Sequence, residues 1–308
     1  MQVDPHQAYQ YKQSVLNTAL QQIQLALFRQ LTRKSQNLFL RGADQISAAP
    51  QVTGNHEPHV RSFIEHYANA GYGDFLIDIG ANIGLTSCQS GGRFRQVHMF
   101  EPNPDCFSIL RVNARISLAG TDYRLYEFGL GEANERKVLN VPRHNWGGAF
   151  IDDEHNSYSA ATLASKDGFD HIDPQQYLRV EIQIAAADEV FRNLFCGLME
   201  AGLTSGVIKI DVEGYEPTVI HAIARTIPKE ISAAVVFESW DDDLDVSQLL
   251  DAFGGRASAF RIQYIKRYKQ SWPKLLKLAA FALSGGYTYT ISPVVAGKTK
   301  GDLVLSIR

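Results

Sequence analysis

The stretch Phe75-Leu-Ile-Asp-Ile-Gly80-Ala-Asn-Ile-Gly84 is an apolar run that ends in one acid and two glycines, then enters a helix-compatible segment. An unbroken apolar run of strand length suits a strand buried on both faces, as in parallel sheets. Val207-Ile-Lys-Ile-Asp211-Val-Glu213-Gly214 has the same shape far downstream. Two such strands belong to one sheet and deliver their carboxylates to one edge.

The residues between them alternate strand and helix. Gln96 to Glu101 reads as a second strand closed by Pro102, and Pro104 to Gly120 as a helix with apolar positions at Phe107, Leu110, Val112, Ile116 and Leu118. Tyr123 to Phe128 reads as a third strand. Lys137 to Val141 and Arg179 to Ile184 carry the pattern of an antiparallel pair, separated by a long polar insertion over 142–178. Asp188 to Met199 is helical, Ala233 to Glu238 is a further strand, and Arg261 to Ile265 and Asp302 to Ile307 are the last two. This order predicts an α/β fold: a doubly wound, mainly parallel seven-stranded sheet with an antiparallel final strand, binding its ligand beyond the carboxyl ends of the strands.

Ahead of this domain, residues 1–57 read as a helical extension and linker. Leu16, Leu20, Ile23, Leu27 and Leu31 share one helical stripe, which suits packing on the domain or on a second copy as a homodimer, or a lid over the cleft. Residues 41–58 show no period and read as the linker; residues 58–70 read as a short helix. Residues 58–308 form the main domain, with an apolar and basic insertion at 269–300.

With 45% hydrophobic residues, 20% charged residues and a net charge of −3, the chain has the balance of a globular enzyme and no global basic field for nucleic acid. Three scattered cysteines argue against a disulfide framework or thiolate metal site and favour a reducing cytoplasm. The sequence shows neither an export leader nor a membrane span, so a cytoplasmic location is expected. Trp272 to Leu283, flanked by Lys266, Arg267 and Lys269, has two readings: a surface helix that touches a membrane or a lipid-linked glycan acceptor, or a helix packed on the domain or on another subunit.

The turn after the first strand is Gly-x-x-x-Gly, not the Gly-x-Gly-x-x-Gly of a pyrophosphate binder, and Asp78 precedes it. An acid there repels phosphate but suits an ammonium group, and Glu101 at the end of the second strand suits ribose hydroxyls. A ligand with ribose, adenine and an ammonium but no phosphate is S-adenosyl-L-methionine.

Residues 75–84, Phe100-Glu-Pro-Asn-Pro104, Ile208-Lys-Ile-Asp-Val-Glu-Gly-Tyr-Glu216 and Val236-Phe-Glu238 together resemble the FkbM family of S-adenosylmethionine-dependent O-methyltransferases. Asn145-Trp-Gly-Gly148 and Ala187-Asp188 resemble weaker signatures of that family. The resemblance spans about residues 72 to 240 and implies a Rossmann-like class I fold with methyl transfer to a hydroxyl of a sugar, glycan or other small-molecule natural product. It also implies that Asp78, Gly80, Asn82 and Gly84 line the methionine end of the cofactor. Glu101 would hold the ribose, with Asn103, Glu127 and Phe128 near the adenine and Asp211 above the sulfonium.

Asn145, Trp146, Glu213 and Glu238 are the expected acceptor-side residues, with Trp146, Tyr158 and Tyr177 suited to stacking on a sugar face. An alcohol needs a base as the bond forms, and Asp211 or His144 is the expected one. Lys209 and Glu213 are spaced for a structural ion pair. No metal site is expected; the alternative places Mg²⁺ between Asp211 and Glu238. Two other classes remain open from sequence: a nicotinamide-dependent oxidoreductase, and a non-catalytic cofactor-binding assembly partner.

Overall fold

A computed structural model of the chain describes residues 15–33, 38–42, 44–153, 172–239, 245–265, 271–283, 289–294 and 301–308. The main sheet is built outward from β1 (Phe75–Ile79). On one side lie β2 (Gln96–Phe100) and β3 (Asp122–Tyr126); on the other lie β8 (Ser205–Ile210) and β9 (Ser232–Ser239), all parallel. Beyond β9 come β12 (Gly301–Ile307), antiparallel to both its neighbours, then β10 (Ala257–Tyr264) and β11 (Tyr289–Pro293). The predicted antiparallel final strand is β12, inserted between β9 and β10. An eighth strand, β11, replaces the expected seven-stranded limit. It arises inside the 269–300 insertion, where Tyr289 to Pro293 pairs with β10 in a strand too short and polar to show a period.

Alternate side chains of the central strands feed two cores. Phe75, Ile77 and Ile79 join Ile208, Ile210, Val235 and Phe237 against α6 (Ala187–Glu200), α7 (Glu216–Thr226) and α8 (Val246–Ala252), whose contributions include Phe191, Phe195, Ile220 and Leu249. Leu76, Val97 and Met99 pack on the other face against α3 (Pro58–Asn69), α4 (Leu85–Ser90) and α5 (Pro104–Ser117), through Phe63, Ile64, Phe107 and Leu110. Each such side chain, fully buried, contributes roughly 1.5–3 kcal/mol. The helix ends are set locally. Pro104 occupies the first turn of α5, and Asn103 caps it by accepting from Asp105 N at 3.1 Å. Asp188 on α6 holds Arg225 on α7 at 2.7 Å, so the Ala187-Asp188 signature is an interhelical ion pair.

A second sheet, ordered β4 (Gly129–Gly131), β7 (Tyr177–Ala186), β5 (Glu135–Pro142) and β6 (Phe150–Ile151), stands over the carboxyl edge of the main one. The expected antiparallel pairing is present, with Leu139 opposite Val180. Tyr158, expected to stack on an acceptor, lies outside the described residues. β3 ends two residues earlier than predicted, at Tyr126, where its carbonyl accepts from Glu101 N at 3.0 Å.

Two N-terminal expectations change. α1 (Val15–Leu31) forms, but Leu20, Ile23, Leu27, Phe28 and Leu31 are all exposed, so the stripe does not pack on the domain. The linker contains a helix, α2 (Gln45–Thr53), held by tertiary contacts that no sequence period reports: Ile46 meets the face of Gly147 and Asp44 accepts from Trp146 N at 3.2 Å. Buried Asn113 on α5 ties this strap down. It accepts from Phe39 N at 2.7 Å and donates to Phe39 O at 3.1 Å and Ile83 O at 2.8 Å. Asn113→Ala is expected to cost about 3 kcal/mol through these lost partners, read as a lower urea midpoint with faster proteolysis near residue 39; an unchanged midpoint would contradict the strap's anchorage.

Candidate active site

The chain order reverses between β1 and β8, and at such a switch point the loops leaving two adjacent strands diverge and open a crevice. Here the crevice is a cavity of about 370 Å³, within the roughly 300–1,000 Å³ of small-molecule sites. Gly80 sets its floor at φ +79°, and a Cβ there would lie 1.9 Å from the Asp211 carbonyl oxygen, so only glycine lets the two strand ends meet. Asp211 N donates to Ile79 O at 2.9 Å across the same junction. Asn82 follows with φ +51°, a left-handed conformation uncommon for a residue with a side chain, and its Nδ2 donates to Trp146 O at 3.3 Å.

Glu101 closes one end. Its Oε2 accepts from Asn82 N at 2.7 Å and its Oε1 from Asn103 N at 2.8 Å. Burial outweighs these bonds and pushes its carboxyl up to about 7. Each carboxylate oxygen accepts more than one donor, so both retain capacity towards the cavity they line. Phe100, Pro102, Phe128, Gly129 and Leu130 form an apolar slot beside it.

The other end is acidic. Asp211, Glu213 and Glu238 all line the cavity with Glu57 and His56 from the strap. Glu238 is pushed up to about 7 by burial first, then by Asp302, Asp211, Glu57 and Glu213. Burial also raises Glu57, which sits at φ +37° at the start of α3. His56 is lowered to about 4, by burial and then by the Lys209 charge, and is therefore neutral at pH 7. Beneath these acids Lys209 is buried, with Nζ 2.9 Å from Asp211 Oδ2 and 3.5 Å from Asp78 Oδ1. Burial opposes its charge, but Asp211, Asp78 and Glu57 outweigh that and raise its pKa.

The expected residues divide accordingly. Gly80, Asn82, Glu101, Phe128, Asn145, Trp146, Asp211, Glu213 and Glu238 meet at the cavity. Asp78 does not: it is wholly buried below the turn, accepting from Ser87 Oγ at 2.6 Å and facing Lys209. Gly84 is outside the wall, its Cα packed on Leu110 and Cys88 at the start of α4. Asn103 spends its side chain on the α5 cap. Glu127 is exposed, displaced by the early end of β3, and His144 is not at the cavity wall. Lys209 pairs with Asp78 and Asp211 rather than with Glu213. Among the described residues no group of three or more His, Cys, Asp and Glu is arranged to hold a metal ion.

Sequence reasoning missed His56, Glu57 and Tyr215 as cavity residues. Tyr215 donates its hydroxyl to Asp153 and accepts from Lys137 Nζ at 2.8 Å; burial and then the Asp153 bond push it up to about 12, so it stays protonated. Lys209 carried a readable signal, since a lysine inside an apolar strand run must find a buried counter-charge. His56 and Glu57 carried none, because only the tertiary path of the strap brings them over the strand ends.

Lys209→Met would leave Asp78 buried without its cation and is expected to cost about 3–5 kcal/mol. Protonation relieves an unpaired buried carboxylate, so the deficit in thermal stability should shrink as pH falls from about 8 to 5. A deficit that does not change with pH would contradict the pairing.

The methyltransferase FkbM domain family model matches residues 78–254, more than half of the chain, and covers the ends of β1, β2, β3, β8 and β9. Methyltransferase sdnD of Sordaria araneosa is 27% identical over 181 residues, which cover 56% of this chain and 69% of that protein. The O-methyltransferase from Bacillus cereus in complex with SAH aligns at TM-score 0.40 and 10% identity, covering 97% of this chain and 92% of that one. Precorrin-6y C5,15-methyltransferase from Geobacter metallireducens GS-15 aligns at TM-score 0.39 and 9% identity, covering 91% and 97%. By the family match, the chain belongs to the methyltransferase FkbM domain family.

Proposed function

We propose that the chain transfers a methyl group from S-adenosylmethionine to a hydroxyl oxygen of a sugar or glycosylated small-molecule acceptor. The observation that carries this reading is the polarity of the cavity: a buried carboxylate at Glu101 beside an apolar slot, opposite an acidic end at Asp211, Glu213 and Glu238. The residues fit that cofactor. Phe128 and Leu130 suit its adenine, Glu101 its ribose hydroxyls and the acids its cationic end, while the turn at Gly80 offers no phosphate cradle. Bound there, the cofactor supplies an electrophilic methyl group on a sulfonium.

The remaining work falls to side chains. Lys209 fixes Asp211 at the junction of β1 and β8, so Asp211 contributes a held negative charge. Glu238 is the better base: a carboxyl near 7 ionises at working pH and still binds a proton firmly. It takes the proton from the acceptor hydroxyl as the carbon–oxygen bond forms. Trp146 and protonated Tyr215 present an aromatic face and a polar edge on the acceptor side, which suits a sugar ring. A divalent cation between Asp211 and Glu238 has no assigned part, because the Lys209 ammonium 2.9 Å from Asp211 Oδ2 already supplies that carboxylate with a counter-charge.

Incubation with a labelled methyl donor and a panel of glycosides should give a product heavier by one methylene. Its formation should be indifferent to EDTA; loss of turnover with EDTA would restore the metal alternative, and no methylated product from any acceptor class would favour the non-catalytic one. The rate should rise with pH through about 7 as Glu238 ionises, and Glu238→Gln should remove that limb and lower kcat by roughly 10²–10⁴-fold. An unchanged pH profile in the variant would overturn Glu238 as base.

A further inference from the structure

Between Asp251 and Asp302 the chain carries nine lysines and arginines and no acid, although its net charge is −3; the rest of the molecule therefore has twelve more acids than bases. This basic block contains α9 (Lys274–Leu283). At the start of that segment Trp272 is 39% exposed, Leu275 80% and Leu276 53%. Residues 272, 275, 276 and 279 follow the i, i+3, i+4, i+7 spacing of one helical face, and Ala279 is exposed as well. Lys274 and Lys277 fall on the opposite face, which makes the helix amphipathic. The reading of this segment as a helix packed on the domain does not hold for these side chains.

We propose that this face docks the protein on an anionic phospholipid membrane surface. A helix with tryptophan and leucine on one face and lysines on the other lies in the headgroup plane: the apolar face leaves water, and the long lysine stems let the ammonium groups reach lipid phosphates and carboxylates. The sign of the charge selects the partner. A second copy meeting through the same face would bring two basic blocks together, which is repulsive. A nucleic acid would engage the lysines and leave Leu275 and Leu276 in water. No helix among the described residues is long and apolar enough to cross a membrane, so the contact is peripheral.

The placement also orients the molecule. β10 runs parallel to β8 and β9 and so ends at the edge that carries Asp211 and Glu238. β11, which follows α9 in the chain and pairs antiparallel with β10, begins at the same edge. The rings of Tyr264 and Tyr289 stand 6.0 Å apart there, and Tyr289 lies 5.9 Å from His59, two residues from Glu57 at the cavity wall. The two strands that bracket the docking segment in the sequence thus meet beside the cavity. It is independent of which group is transferred there.

Flotation of the full chain at about 0.1 M salt tests this, with vesicles of phosphatidylcholine alone or with about one third phosphatidylserine. The protein should float with the phosphatidylserine vesicles and stay down with phosphatidylcholine alone. L275E/L276E should lower the floated fraction at least about tenfold, and K274Q/K277Q several-fold with a weaker salt dependence. Lys274, Leu275 and Leu276 are exposed and Lys277 is half-buried, and none of them lines the cavity, so both variants should melt with the parent and bind S-adenosylmethionine as it does. No flotation of the parent with either vesicle overturns the proposal, as does flotation of L275E/L276E equal to the parent. Self-association, or binding to an RNA duplex, that needs Leu275 and Leu276 in the absence of flotation assigns the face to that partner instead.

Discussion

The Lys209 ammonium, buried between Asp78 and Asp211, is the interaction on which the site depends. Three charges at the junction of two parallel strands are costly to desolvate, and they persist because each has its counter-charge in place. The gain is positional. Asp78 belongs to β1 and Lys209 and Asp211 to β8 and its exit, so the ion cluster locks the two strand ends in the register that the Gly80 contact with the Asp211 carbonyl also requires. The crevice of the sheet is held open at that point.

Everything else at the cavity is added to this junction from a distance. The second sheet supplies apolar walls through Leu139, Phe150, Ile182 and Ile184, and the strap supplies Ile46, His56 and Glu57. Arg41 links the two coverings: it lies 4.2 Å over the Trp146 ring, holds Asp44 at 3.2 Å and donates to the Arg143 carbonyl. The acids at the far end raise one another. Glu238 reaches about 7 because burial and four neighbouring carboxylates disfavour a further negative charge, an arrangement that a bound cation relieves.

The central sheet was legible because strands buried on both faces are dominated by apolar residues, and 75–79, 96–100, 205–210 and 232–239 are so, with Asp78, His98 and Lys209 as isolated polar positions inside them. Residues directly after those runs, Gly80, Asn82, Glu101, Asp211 and Glu213, line the cavity for the same reason: a strand end fixes the next few positions. Legibility stopped where position depends on tertiary path. Glu127 was misplaced by a two-residue error in the end of β3. His144 was drawn to the site by chain proximity alone. α2 has no period and a proline within it, and folds through contacts with residues a hundred positions away. Asp78 was read as a ligand contact because its spacing from the turn was visible, whereas its burial under Lys209 was not.

If the junction of β1 and β8 holds the methyl donor, isothermal titration with S-adenosylmethionine will show saturable binding to one site, weakened at least about tenfold by Glu101→Ala, or about 1.4 kcal/mol, and abolished by Gly80→Val. Absence of binding by the parent chain, or binding of NAD in its place, would contradict it.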